Sequence, residues 1–147
     1  MKKLTTVLTA IVLFVSASFA SPTIDVSAKI KAEFEKDFSS VTNLIWQTKD
    51  NYSIASFKMN DQEYSAAYDD DGNLLVVSRY VSKSQLPLAV THALNKRYAG
   101  YTFSNTVIEV SAEETLYVLT GENEKYSVRI KVEASGFITI MDKLRKP

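Results

Sequence analysis

Tyr126-Ser127-Val128-Arg129-Ile130-Lys131-Val132-Glu133 alternates from end to end. Successive side chains of a strand point to opposite sides. Tyr126, Val128, Ile130 and Val132 therefore share one face, and Ser127, Arg129, Lys131 and Glu133 share the other. A strand buried on both faces would read as a continuous apolar run. This stretch is half polar, which predicts an antiparallel sheet covered on one side and wet on the other.

Working outward, Asn123 and Ser135-Gly136 mark turns on either side of this strand. Further strands are predicted over 102–110, 115–120 and 137–144. Ahead of them lies a helix with the apolar stripe Leu86, Val90, Ala93, Leu94 and Tyr98. Ser84 is its expected cap, and Pro87 suits the first turn, where a missing N–H costs nothing. Lys96 and Arg97 complement the dipole of the last turn, and Gly100 stops the helix.

The first half repeats this order. Val26, Ile30, Phe34 and Phe38 recur in steps of four and predict a helix that ends at Ser39-Ser40. Strands follow over 41–48, 52–59, 63–68 and 74–81. The turns between them are at Lys49-Asp50-Asn51, Asn60-Asp61 and Asp70-Asp71-Gly72-Asn73. Phe34 and Phe38 match Leu94 and Tyr98, Trp46 falls near Val107, Tyr52 near Tyr117, Tyr64 near Tyr126, and Gly72 near Gly136. These offsets stay within 60 to 65 residues, which suggests an internal duplication. The expected fold is α+β: two helix plus four-stranded antiparallel units, over 26–82 and 83–147, with the helices on one face of the sheet.

Met1-Lys2-Lys3, an apolar run from Leu4 to Phe19, and Ser18-Phe19-Ala20 read as a secretory signal peptide over 1–20, cleaved between Ala20 and Ser21. Thr5, Thr6, Thr9, Ser16 and Ser18 interrupt the run, which suits a cleaved leader better than a retained span. Cleavage takes 20 of 147 residues and leaves 127, a single domain over 21–147. Loss of Lys2 and Lys3 reduces 17 basic residues to 15 against 17 acidic ones, near −2. Nucleic acid is therefore not an expected partner. No second apolar run implies a membrane segment after signal removal. The chain has no cysteine, which excludes disulfides, a thiolate metal site and a lipidated cysteine anchor.

The order and spacing of Phe34…Phe38, Asn43-Leu44-Ile45-Trp46, Tyr64 through Leu75 with Asp69-Asp70-Asp71-Gly72-Asn73, Leu86-Pro87 and Tyr98-Ala99-Gly100-Tyr101 resemble the PepSY-like family of periplasmic proteins. That family's fold is related to that of the β-lactamase inhibitor protein. The resemblance spans residues 26–146. It implies the duplicated unit, an exported location, and a binding or inhibitory role without catalysis. The inhibitor's disulfides have no counterpart in this chain, and nothing here carries over β-lactamase as a target.

Candidate chemistry is sparse. Asp69–Asp71 invites a calcium reading, but an EF-hand loop with Gly72 sixth would put Ala67 first and Ser78 last, without the carboxylates those ends require. A polar β-turn is the plainer reading. His92, the one histidine, falls on the far side of its helix from the apolar stripe, as a surface residue does. No phosphate loop is present, no pair of carboxylates stands out, and no catalytic residue, metal or cofactor is expected. Most aromatics, including Phe34, Phe38, Tyr64, Tyr68, Tyr98, Tyr126 and Phe137, are expected in the core. Tyr52, Tyr80, Tyr101 and Tyr117 remain open as contact anchors. The expected function is binding of an extracytoplasmic protein by the open sheet face, with Arg79, Arg129 and Lys131. The alternative is a small ligand or a cation.

Overall fold

A computed structural model describes residues 26–147. The expected signal peptide and its cleavage point at Ala20 and Ser21 lie outside the described residues. The described residues form a mostly antiparallel sheet of nine strands with two α-helices and a short 3-10 turn. It divides into two compact units, one ending at Arg79 and the other beginning at Tyr80.

In the first unit helix α1 (Ala28–Asp37) precedes β1 (Thr42–Lys49), β2 (Tyr52–Met59), β3 (Gln62–Asp69) and β4 (Leu74–Ser82), which pair in chain order. Ser27 starts the helix, its Oγ accepting from the Ile30 N–H at 3.3 Å. α1 buries Ile30 and Phe34 among Ala55 and Phe57 of β2 and Ala66 and Tyr68 of β3. Burial of each such side chain contributes about 1.5–3 kcal/mol. Phe34 meets Phe57 edge-on at 5.1 Å and Trp46 at 5.3 Å, the tilted geometry that the ring quadrupole favours.

The second unit begins with the end of β4 and the 3-10 turn Lys83–Gln85. It continues with α2 (Leu88–Arg97), β5 (Thr102–Phe103), β6 (Thr106–Ser111), β7 (Thr115–Glu122), β8 (Tyr126–Glu133) and β9 (Ile138–Arg145). The strand order is β6-β7-β8-β9, with β5 also on β7. Val90, Leu94 and Tyr98 are buried with Val128, Ile130 and Val132 of β8 and with Val107, Tyr117, Leu119 and Ile138.

Three sequence expectations change. The capping falls one step earlier: Ser82, not Ser84, is the cap, closing a capping box with Gln85 around the 3-10 turn. α2 then starts after Pro87 without a side-chain cap. The single strand expected over 102–110 breaks at Ser104-Asn105. The Ser104 N–H still bonds to the Thr120 carbonyl at 2.9 Å, but its hydroxyl accepts from the Thr106 N–H at 3.2 Å and the Asn105 carbonyl accepts from the Lys83 N–H at 2.8 Å, so the chain turns at Asn105.

The face away from each helix is also not uniformly wet. Ile54, Ala67 and Val76 lie side by side across β2, β3 and β4 on the face opposite Ala55 and Ala66, and all are buried. Val110, Leu116 and Val118 do the same on β6 and β7. The run Leu116-Tyr117-Val118-Leu119 has no polar residue to present on either side.

Candidate binding site

On β8 the alternation holds in three dimensions. Val128, Ile130 and Val132 enter the core with α2, and Arg129 and Lys131 project from the opposite face, half-buried. Directly opposite residues share a face. Arg129 therefore lies between Thr120 of β7 and Asp142 of β9, and Lys131 between Val118 and Thr139. The Arg129 Nε–H is shielded from solvent and has no acceptor among the described residues. Among the described residues neither Arg129 nor Lys131 is in an ion pair. A shielded donor without an acceptor costs its desolvation, about 1–3 kcal/mol. Two residues apart on one face, the two cations stand about 7 Å apart. A planar guanidinium fork beside an ammonium is suited to a carboxylate.

Arg79 does not join them. It stands opposite Tyr64 of β3, next to Val77, on the face that α1 covers, and it is engaged within the protein. Its expected place on the open face is corrected by a shift of register. Ala67 pairs with Val76 and Tyr68 with Leu74, so Leu75 is an extra residue. In an apolar strand with no alternation, the faces cannot be assigned by counting.

The Asp69–Asp71 turn is held by its own groups. Asp69 Oδ1 accepts from the Asn73 N–H at 2.8 Å, and Oδ2 from the Asn73 amide at 2.9 Å. Burial pulls the Asp69 carboxyl up. The Asn73 side chain, the backbone N–H groups of Asn73 and Asp71, and the Lys29 charge outweigh it and hold it below the usual carboxylate range. Among the described residues no three acidic or histidine side chains converge as a metal would require. His92 is exposed.

The four open tyrosines offer no exposed anchor: Tyr117 is buried and Tyr52, Tyr80 and Tyr101 are half-buried. Among the described residues the exposed aromatic is Phe137, expected in the core but 63% accessible. Its backbone belongs to the β8–β9 turn, where its carbonyl accepts from the Glu133 N–H. The strand proper, with inward-facing Ile138, begins one residue later. Counting the strand from 137 hid this. The adjacent Ser-Gly pair was the available signal.

No family model and no curated protein matches the sequence. Solved structures do. A DUF2874-family protein from Bacteroides uniformis superposes with a TM-score of 0.70 at 16% identity, over 82% of this chain and 90% of that one. A BLIP-like protein from Bacteroides fragilis gives 0.67 at 20% identity, over 83% and 87%. A protein from Bacteroides eggerthii, inferred to be periplasmic, gives 0.70 at 12% identity, over 83% and 90%. Among the described residues no helix is long and apolar enough to cross a membrane. The chain has a BLIP-like fold.

Proposed function

We propose that this protein is an exported, non-catalytic binding module of PepSY-like type that receives an acidic segment of an extracytoplasmic protein on the β7–β9 face turned away from α2. The observation that carries the reading is the Arg129 Nε–H, shielded and without an acceptor, beside Lys131, which has no ion pair among the described residues. A partner carboxylate would satisfy the donor that the free chain leaves unmade. The leader-like first twenty residues and the neighbour inferred to be periplasmic support export. The BLIP-like neighbour supports a binding module. The same reading takes the two halves as copies of one unit. In support, Gly72 and Gly136 occupy matching hairpins with positive φ, each against its own unit's helix.

The test is capture of partners from periplasmic extract on immobilised mature chain, beside the Arg129→Met/Lys131→Met form. A stoichiometric partner should be retained by the first and lost at least tenfold by the second, with retention weakening as salt rises. Equal capture by both forms removes the proposal.

A further inference from the structure

On the other side of the second unit's sheet, a groove of about 400 Å³ runs between the C-terminal half of α2 and the β8–β9 turn. Ala93, Gly136, Phe137 and Ile138 form its apolar floor, and Lys96 and Arg97 stand at its edge. It exists because the turn lies hard against the helix: a Cβ on Gly136 would come within 2.9 Å of the Ala89 carbonyl oxygen.

Three features converge. Phe137 exposes 63% of its surface here, and Ile140, on the same side as Ile138, exposes 47%. Lys96 has no ion pair among the described residues, and the hydrogen bond recorded for Arg97 is from Nη1 to the Ile138 carbonyl at 3.2 Å, with no carboxylate partner. β9 ends the strand order, so one edge of its backbone faces outward. The Phe137 carbonyl bonds to the Glu133 N–H and so points at β8. Alternation along the strand then turns the peptide groups of Ile138 and Ile140 away from β8, consistent with Arg97 reaching the Ile138 carbonyl. The ladder stays regular as far as Ile140, and the extra residue Met141 ends the usable edge.

From this juxtaposition we infer that the groove receives the C-terminus of an extended peptide that ends in an apolar residue. The terminal carboxylate meets Lys96 and the free donors of Arg97. The last side chain lies on Phe137 and Ala93, and the peptide backbone pairs with the outward groups of Ile140 as an added strand. Two cations without carboxylates beside an apolar floor fit an occupant that is anionic at one end and greasy next to it. The free backbone edge favours a peptide over a fatty acid, which has no amides to pair. The inference is independent of the Arg129 face, on the other side of the sheet.

The mature chain, labelled with 15N, is titrated with a tetrapeptide ending in phenylalanine with a free carboxylate, with the same peptide as its C-terminal amide, and with laurate. The free acid should move the amide resonances of Ala93, Phe137 and Ile140. The C-terminal amide should bind at least tenfold more weakly, since it loses a charge-assisted bond. Lys96→Gln should weaken the free acid by a similar factor, and Phe137→Ala should abolish the shifts. Both side chains are exposed, so circular dichroism should show each variant folded. Equal binding of acid and amide, no shift at millimolar peptide, or stronger shifts from laurate than from the peptide would overturn the assignment.

Discussion

Tyr68 is out of contact with water, and its hydroxyl donates to Asp37 Oδ2 at 2.9 Å. Burial pushes its phenol far above the ordinary value of 10.0, and the hydrogen bond to Asp37 and the charges of Asp37 and Glu33 push it further. Above pH about 10 the unfolded chain releases this proton and the folded chain keeps it. The unfolded state then binds fewer protons, so stability falls as pH rises through that range. The melting temperature should decline above pH about 10, and less steeply in Tyr68→Phe. At neutral pH that substitution should cost about 1 kcal/mol, since exposed Asp37 recovers water. Gly136 and Gly100 make a second residue-level contrast. Both have positive φ, 92° and 85°. A Cβ at Gly100 meets nothing within 4 Å, whereas at Gly136 it strikes the Ala89 carbonyl. Gly100→Ala should cost about 1 kcal/mol, the left-handed backbone alone, and Gly136→Ala at least about 2 kcal/mol. Thermal melts of the two variants measure the difference.

Ile130 and Ile140 are cross-strand neighbours on one face, yet Ile130 is fully buried and Ile140 is 47% exposed. α2 covers β8 and the start of β9 at Ile138 but leaves Ile140 open. Ile130→Ala should therefore cost about 2–4 kcal/mol and Ile140→Ala under about 1 kcal/mol, read from urea unfolding of each. The same boundary separates what was legible in the chain from what was not. β8 was legible because strict alternation has only one solution, and Arg129 and Lys131 came with it. So was α1, from Val26, Ile30 and Phe34 in steps of four. β4 was not: Leu74-Leu75-Val76-Val77 has no polar residue to mark a face, and Leu75 slips the register, which turned Arg79 to the other side. The break at Ser104-Asn105 depends on the Lys83 N–H, which takes the Asn105 carbonyl and lies distant in sequence. The Phe137 groove needs α2 beside the β8–β9 turn, a tertiary adjacency that no local pattern carries.

At the scale of the whole chain, charge and stability pull against each other. The full chain balances 17 basic against 17 acidic residues, so its net charge draws no acidic partner at long range. Attraction must come from local placement of cations. In the proposed binding Arg129 would supply it, from a half-buried site with one donor unmade, a state that costs the free chain stability. Natural binding surfaces commonly keep such a deficit where the partner completes the bond. Replacing Arg129 with methionine keeps the aliphatic stem that packs between Thr120 and Asp142 and removes the orphaned N–H. Arg129→Met should therefore raise stability by about 1 kcal/mol while capture of the partner falls at least tenfold. A purely structural arginine behaves in the opposite way, losing stability with its donors. Calorimetric melting of the free variant separates the two cases before any partner is in hand, because a lowered melting temperature would place Arg129 among the groups that hold the sheet together.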